Sequence, residues 1–270
     1  MADQPDWVPP GVDVKRANVA RVYDYLLGGT HNFLADQDVA RSMATIEPMS
    51  GAIARANRAY LGRAVRFLAG AGISQFLDIG SGIPTQGNVH EIAQQANPDA
   101  RVVYVDVDPI AIAHSKAILA GHANAAILDA DLREPAKILG HPSVRSLIDF
   151  GKPVALLLLA VLHFLSDEED PGAVVATLRD ALAPGSYLVL AHATAEGKPE
   201  AALAVATVYN RSVAAKWRLR SRAEIQHLFD GFELIEPGLV FAPAWRPDAT
   251  GDIPGNSTEF GTLVGVARKP

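Results

Sequence analysis

A short apolar strand that ends on an acid and runs straight into a glycine turn constrains this chain more than any other feature. It is the run FLDIGSGIPT at positions 76–85. A second apolar segment, 101–105, ends on Asp106, and a third, 125–129, is followed by Asp131. Three acids at the ends of three successive strands, the first followed by a glycine turn, predict a nucleoside-binding edge of an α/β sheet.

Strand and helix patterns alternate from residue 73 onward, which predicts a mostly parallel sheet. The connecting loop over 241–259, rich in Pro, Gly, Asp and Asn, suits an antiparallel pairing of the last two strands. The predicted strands are 75–79, 101–105, 125–128, 154–159, 186–191, 232–235 and 262–267. The predicted helices between them are 88–95, 110–119, 135–139, 171–183, 199–217 and 222–229.

The N-terminal third has helical rather than strand periodicity. Residues 1–12 carry prolines that predict an extended tail, and apolar spacing predicts helices over 17–27, 35–45 and 52–68. We therefore expect one domain over 1–270. It comprises a helical N-terminal cap (1–72), a cofactor-binding core (73–195) and a region with a helical insertion and the last two strands (196–270).

Composition excludes several classes of function. The net charge of −6 disfavours nucleic acid as a partner, and a local basic run over 211–222 is interpreted as a solvated helix face. The absence of cysteine excludes thiolate chemistry. The start MADQPDWVPP is no signal peptide, and the longest apolar run, 154–165, is too short for a membrane span. We expect a soluble cytoplasmic protein that has no membrane partner.

The strand ends predict specific contacts with a nucleoside. Gly80 and Gly82 allow a sharp turn and a close approach of a ligand. Asp78 is placed to accept from a ligand ammonium or to anchor the turn. Asp106 is placed to bind both hydroxyls of a ribose, and Asp131 the exocyclic amine of a purine.

A dinucleotide site is the main alternative for this turn. Its fingerprint has a third glycine, which is missing here, and Pro84 removes an N–H donor where a phosphate needs one. The turn therefore favours S-adenosylmethionine, whose linkage is a sulfonium. A dinucleotide oxidoreductase and a turn with no ligand remain the alternatives.

Several segments also resemble known families. FLDIGSG, VVYVDVDP, LDADLRE, LLLLAVLHFL and LAPGSYLVLAHAT are similar to class I S-adenosylmethionine-dependent methyltransferases. NVARVYDYLLGGTHNFLADQDVA and the closing GTLVGVARKP resemble a bacterial methyltransferase family formerly classed as a domain of unknown function. That resemblance implies a Rossmann-like seven-stranded sheet of order 3-2-1-4-5-7-6 with an antiparallel last strand. It implies S-adenosylmethionine binding and no particular acceptor, and Pro84 is its departure from the broad class.

The resemblance also implies roles for individual residues. The methionine part of the cofactor would lie against the glycine turn, its carboxylate near the helix before the first strand, and the methyl group near the end of the fourth strand. The implied cofactor-binding residues are Asp78, Gly80, Ser81, Gly82 and Pro84 in the turn, Asp106, Val107, Asp131 and Leu132 around the nucleoside, and Ala160. Beside the resemblance, Asn57 and Arg58 on the helix before the first strand are candidates to bind the cofactor carboxylate, and a surface salt bridge is the alternative role of Arg58.

Two residues are candidates for catalysis. His163, beyond the fourth strand, is either a general base or a packed, inert histidine. Tyr23 belongs to a polar and aromatic group around the turn at 28–30, which is interpreted as a lid over the site or as ordinary cap structure. The other members of this group are Asp24, Tyr25, His31, Asn32 and Phe33.

Two further groups allow more than one interpretation. Tyr209, Trp217 and Trp245 could line an acceptor pocket or simply pack. The pair Asp106 and Asp108 and the acidic run 167–170 could suggest a hard cation, but the helix start at Pro171 accounts for the run, and no metal is predicted.

The sequence thus predicts an enzyme, a methyltransferase that uses S-adenosylmethionine and acts on a small molecule. The alternative is a non-catalytic regulator that binds S-adenosylmethionine.

Overall fold

Eight β-strands form one sheet within residues 8–84, 87–249 and 256–270, which are the residues described by the computed structural model. The strands are β1 Gln75–Ile79, β2 Arg101–Asp106, β3 Ala125–Asp129, β4 Ala155–Leu159, β5 Tyr187–Ala193, β6 Glu233–Leu234, β7 Val240–Phe241 and β8 Thr262–Arg268. Most of the predicted tail (1–12), Thr85 of the glycine turn and positions 250–255 of the predicted loop lie outside these residues.

The strand order is β3-β2-β1-β4-β5-β8-β6, with β7 also paired to β8. Strands β1 to β5 are parallel, and β8 runs antiparallel to β5 with Ala267 opposite Leu188. This arrangement confirms the predicted Rossmann-like order. It adds one strand, β7, which has only two residues and is too short to show a strand period in the sequence.

Ten α-helices accompany the strands in the described part of the chain. They are α1 Val19–Leu26, α2 Leu34–Ile46, α3 Ser50–Gly70, α4 Val89–Ala96, α5 Pro109–Ile118, α6 Pro135–Gly140, α7 Pro142–Leu147, α8 Pro171–Ala181, α9 Pro199–Ser212 and α10 Arg222–His227.

Two helices differ from the sequence prediction. Helix α9 ends at Ser212 rather than near 217. Val213 is extended and bridges to Ala17, and the Asn210 side chain accepts a hydrogen bond from the Trp217 amide at 2.6 Å. Helix α7 was not predicted. It begins at a proline, and the His141 side chain caps it by accepting from the Ser143 amide.

The sheet is covered on both faces by apolar side chains that alternate along its strands. One face packs Leu77, Val103 and Leu156 with α6, α7, α8 and α10. The other packs Phe76 and Val102 with α3 and α4. Helix α3 is therefore part of the sheet core rather than of the cap to which the sequence assigned residues 1–72.

Helices α1, α2 and α9 form a separate apolar cluster. Its buried members include Val22, Met43 and Val205. A buried ion pair of 3.2 Å between Arg21 and Asp36 joins α1 to α2. We call this assembly of α1, α2 and α9 the cap. None of the helices in the described residues is long and apolar enough to span a membrane.

Candidate cofactor and acceptor site

A cavity of about 450 Å³ lies between the carboxyl ends of the strands and the cap. Its cofactor side is formed by strand ends and the loops after them, 78–82, 106–108 and 130–133. Its cap side is formed by α1, α2, α9, the first turns of α3 and the segment 213–219. The cavity is lined by the predicted residues Tyr23, Asn57, Arg58, Asp78, Gly80, Ser81, Gly82, Asp106, Val107, Asp131, Leu132, Ala160 and His163. Pro84 lines a neighbouring recess of about 20 Å³ instead.

The backbone donors of the glycine turn are used within the protein. The amides of Gly80 and Ser81 donate to the Val105 carbonyl at 2.8 and 3.2 Å, and the Gly82 amide donates to Asp106 at 2.7 Å. Gly80 has a φ of +75°, and a Cβ there would lie 2.4 Å from Val161. Because its amides are already bonded, this turn is poorly suited to a diphosphate.

Asp106 is held rigidly at the end of β2. Besides Gly82, the amides of Val107 and Asp108 donate to its carboxylate at 2.8 and 2.9 Å. Burial raises the pKa of Asp106, although these hydrogen bonds oppose the shift. Asp108 caps α5 by accepting from the amides of Ile110 and Ala111, so this acid belongs to the helix start.

Asp78 is buried, and no residue in the described ranges hydrogen-bonds to its carboxylate. Burial raises its pKa to about 7, the Asp106 carboxylate adds to the shift, and Arg58 opposes it. A buried carboxyl with unused acceptors is suited to a cationic ligand group.

Polar atoms of α3 lie on the same part of the cavity wall. Asn57 donates through Nδ2 to the Tyr23 hydroxyl at 2.9 Å, whereas its buried Oδ1 has no partner among the described residues. Arg58 donates to the Gly87 carbonyl and to Asn88 at 3.2 and 3.3 Å. This carbonyl and amide partnership replaces the surface salt bridge that was its alternative role.

Asp131 lies at the rim of the cavity, two residues beyond the end of β3. It forms an ion pair of 2.9 Å with Arg133, and its side chain is 35% exposed. Val107 is also largely exposed at this rim. This edge of the cavity is therefore partly open to solvent.

The acidic run before α8 is accounted for by contacts within the protein. Asp167 pairs with Arg218 and Arg220, Glu169 pairs with Arg133, and Asp170 caps α8. Within 8–84, 87–249 and 256–270, no group of three or more His, Asp or Glu side chains is arranged to hold a metal ion. The basic run over 211–222 is also largely engaged: Arg218 and Arg220 bind this acidic run, and Arg222 pairs with Glu196 at 3.0 Å.

His163 is buried at the cavity wall after β4. Its Nδ1 accepts a hydrogen bond of 3.4 Å from the Ala193 amide, so in the neutral ring the hydrogen is carried by Nε2. Burial, His192 and Arg220 hold the pKa of His163 well below its ordinary value. This geometry disfavours the predicted role as a general base, since the unprotonated nitrogen is already occupied.

Tyr23 is engaged as well. Its hydroxyl donates to the Ala54 carbonyl at 3.1 Å and accepts from Asn57, and burial raises its pKa. Tyr23 is therefore suited to forming the wall of the cavity and not to accepting a proton. In the predicted lid, Asp24 accepts from the His31 amide and from Asn32, which orders the turn after α1.

Four aromatic rings meet where the two sides of the cavity join. His163 lies 4.3 Å from Phe164 and 5.6 Å from Trp217 between ring centroids, and Tyr209 lies 5.4 Å from Trp217. We call His163, Phe164, Tyr209 and Trp217 the aromatic cluster. Trp245 is not part of it, because it packs against Tyr60 in the sheet core.

Some residues of the cavity could not be found from the sequence. Glu47 and Lys198 form an ion pair of 3.2 Å across 151 positions, and Val161 packs over Gly80. No local pattern marks these residues. Phe164 adjoins His163 in the segment that resembles methyltransferases, and that adjacency was the available signal.

Comparisons with known proteins identify the family of the chain. A family model described as S-adenosyl methyltransferase matches residues 5–270. The chain is similar to a DUF574 family protein from Streptomyces avermitilis MA-4680, with 42% identity and a TM-score of 0.92 over 96% of this chain and 99% of that one. It is also similar to a candidate methyltransferase from Thermobifida fusca YX, with 46% identity and a TM-score of 0.92 over 98% and 99%.

A solved structure with much lower sequence identity resembles this chain in its fold alone. The N-methyltransferase NodS from Bradyrhizobium japonicum WM9, solved with S-adenosyl-L-homocysteine, is 16% identical with a TM-score of 0.50, over 87% of this chain and 97% of that one. No curated protein matches the chain.

Proposed function

The chain belongs to the S-adenosyl methyltransferase family, and from that premise we propose that it transfers the methyl group of S-adenosylmethionine to a small-molecule acceptor. One observation carries the proposal. A cavity of small-molecule size is bounded on one side by strand-end carboxylates and on the other by an apolar cap. A site for methyl transfer needs both, one side for the charged cofactor and the other for the acceptor.

The unused polar atoms fit an amino acid joined to a nucleoside. The buried Asp78 carboxylate and the Asn57 Oδ1 supply acceptors for an ammonium, and the Arg58 guanidinium supplies a positive charge for a carboxylate. The Ser81 hydroxyl is buried without a partner in the described residues and adds a donor beside them. These residues would hold the methionine part of the cofactor.

The nucleoside would be held at the ends of β2 and β3. Asp106 is fixed by three amides, two that donate to its Oδ1 and one that donates to its Oδ2, so one lone pair of Oδ2 remains for a ribose hydroxyl. Val107 and Leu132 would contact the adenine faces, and Asp131 would accept from its exocyclic amine at the open rim.

When bound, S-adenosylmethionine supplies a methyl group on a sulfonium, which is already an activated donor. The protein's own task is to orient the acceptor and to exclude water. Ala160, with a φ of +54° at the end of β4, and the aromatic cluster form the wall where the two sides of the cavity meet. We assign His163 to hydrogen-bond donation through Nε2, since its Nδ1 is engaged by the backbone.

The two alternatives receive no support. A dinucleotide would meet a glycine turn whose amides are bonded internally, and Pro84 has no N–H to offer. Neither the family nor the similar structures indicate a non-catalytic regulator.

Calorimetric titration of the purified protein with S-adenosylhomocysteine, and separately with NAD⁺ and NADP⁺, tests the cofactor assignment. We expect binding of the first ligand alone. Incubation with S-adenosylmethionine and a bacterial metabolite extract should then release S-adenosylhomocysteine above the rate without extract. Binding of NAD⁺ in place of S-adenosylhomocysteine would overturn the proposal. Binding without turnover across metabolite extracts would favour the regulator.

A further inference from the structure

We propose that the cap side of the cavity takes an uncharged, planar acceptor, and that the atom it presents for methylation is a phenolic or enolic oxygen. This inference rests on the proposed methyl transfer and names the substrate class of the same site.

The walls of the cap side exclude a charged acceptor. Val22, Leu26, Met43 and Val205 line it with apolar surface. The charged side chains at its edge are already paired. Lys198 binds Glu47 at 3.2 Å and Glu259 at 3.7 Å.

A further acid at the edge of the cap side, Glu196, pairs with Arg222 at 3.0 Å. An acceptor with a carboxylate would be repelled by these acids, and one with an ammonium would have to compete with Lys198 for them from an apolar space. The paired rim therefore favours a neutral molecule.

The aromatic cluster favours a planar molecule. Phe164 and Tyr209 lie 6.0 Å apart with planes only 30° from parallel, and Trp217 packs edge-on against Tyr209. Rings contact one another favourably in offset or edge-to-face arrangements. A flat, conjugated acceptor would extend this cluster toward the cofactor side with the same geometry.

The unsatisfied polar atoms of the cluster can all donate a hydrogen bond. The Tyr209 hydroxyl and the Trp217 Nε1 are buried and have no hydrogen-bond partner among residues 8–84, 87–249 and 256–270. Both residues line the cavity, and Tyr209 is only 4% exposed. An indole N–H donates and cannot accept, and His163 offers a further donor at Nε2. An oxygen on the ligand would satisfy all three groups, whereas the hydrogens of an amine could be accepted by the Tyr209 hydroxyl alone.

The same donors decide which kind of oxygen can react. Donors aimed at an oxygen stabilise the negative charge that develops as its proton leaves. A phenol or an enol, which ionises near pH 10, can reach its reactive anion in this way without a general base, whereas an aliphatic alcohol cannot. The acceptor oxygen forms the new bond to carbon as the methyl–sulfur bond breaks, the electron pair of that bond remains on sulfur, and the phenolic proton passes to water.

Four probes of one shape test the inference: 2-naphthol, 2-naphthylamine, 2-naphthoate and naphthalene. Each is titrated into the protein saturated with S-adenosylhomocysteine and followed by calorimetry. We expect 2-naphthol to bind at least about fivefold more tightly than the other three, as one or two satisfied donors allow. With S-adenosylmethionine present, mass spectrometry should detect 2-methoxynaphthalene and no N-methyl product.

Variants identify the donors. Tyr209→Phe and Trp217→Phe should each weaken 2-naphthol binding roughly three- to tenfold while naphthalene binding stays unchanged. Tyr187→Phe, which removes a phenolic hydroxyl at the far end of β5, should leave both unchanged.

Tighter binding of the amine or the carboxylate, or equal binding of 2-naphthol and naphthalene, would overturn the inference. So would a failure of all four probes to bind while S-adenosylhomocysteine binds normally, and the proposed function would then still stand. If S-adenosylhomocysteine itself did not bind, the proposed function would fail first.

Discussion

The two sides of the cavity are built differently. On the cofactor side, the backbone amides of the turn are bound to Val105 and Asp106 before any ligand arrives, and the Ser81 hydroxyl and the Asp78 carboxylate remain unused. On the cap side, apolar helices from distant parts of the chain surround polar atoms of Tyr209 and Trp217 that lack partners in the described structure. A preorganised surface suits one constant ligand, whereas unsatisfied donors in an apolar space await the ligand that defines specificity.

The largest effect should come from removing the close contact within the glycine turn. In Gly80→Ala, the new Cβ would lie 2.4 Å from Val161 at a φ of +75°. Overpacking and the left-handed conformation together should lower the free energy of unfolding by about 2–5 kcal/mol. Gly82→Ala is the matched control, because its φ is +68° but nothing lies within 4 Å, so it should lose only about 1–2 kcal/mol. Equal losses in urea denaturation would show that the cofactor side is not tightly packed.

A second large effect is expected on cofactor affinity. Asp106→Ala removes the proposed ribose acceptor together with the three amide hydrogen bonds that order the turn, and should weaken S-adenosylhomocysteine binding by about 2–4 kcal/mol, or roughly 30- to 1000-fold. Asp129→Ala, an exposed acid at the end of β3 that does not line the cavity, is the control and should bind normally. If calorimetry gave Asp106→Ala an unchanged affinity, this residue would have no place in the site.

The effect of pH on S-adenosylhomocysteine binding should be smaller than that of Asp106→Ala, and it should also come from the cofactor side. Asp78 has a pKa of about 7 without ligand, so it must lose a proton to bind an ammonium below that pH. Affinity for S-adenosylhomocysteine should therefore fall up to about tenfold per pH unit below 7 and level off above it. Asp106, whose pKa is also raised, would add to this fall at lower pH.

The raised pKa of Asp78 has the opposite effect on the stability of the protein without ligand: low pH weakens ligand binding but favours the fold. The raised pKa of Asp78 stabilises the fold fully below about pH 4, and this contribution is lost as pH rises through about 7. Without ligand, scanning calorimetry across pH 5.5–8.5 should show that the free energy of unfolding of Asp78→Asn depends less on pH than that of the unaltered protein. An unaltered slope in that variant would assign the titration to another group.

The smallest effect belongs to the cap side. Tyr209→Phe removes a buried hydroxyl without a partner in the described residues, so the free energy of unfolding should stay the same or rise by up to about 1 kcal/mol. Its affinity for S-adenosylhomocysteine should change less than about twofold, because the two sides make separate contacts. A large loss of cofactor affinity would mean that the two sides are coupled.

The sequence predicted the sheet and its strand ends well and the cap poorly, and the cofactor-binding roles stay predictions. The order of the sheet is confirmed, and Asp78, Asp106 and Gly80 lie together at the cavity as expected. Trp245 was grouped with Tyr209 and Trp217, yet it packs in the sheet core. The end of α9 was also misjudged, because the side chain of Asn210 and the bridge at Val213 stop a helix that the sequence pattern would continue.

The sequence by itself determined the sheet, the glycine turn and the acids at the strand ends, because strand period and turn chemistry depend on neighbouring residues. Only the tertiary structure decided what those groups can do. Burial raises the pKa of Asp78, the Ala193 amide occupies Nδ1 of His163, and Lys198 neutralises Glu47 from 151 positions away. Desolvation and pairing depend on which distant side chains the fold brings together, and that information has no local pattern in the chain.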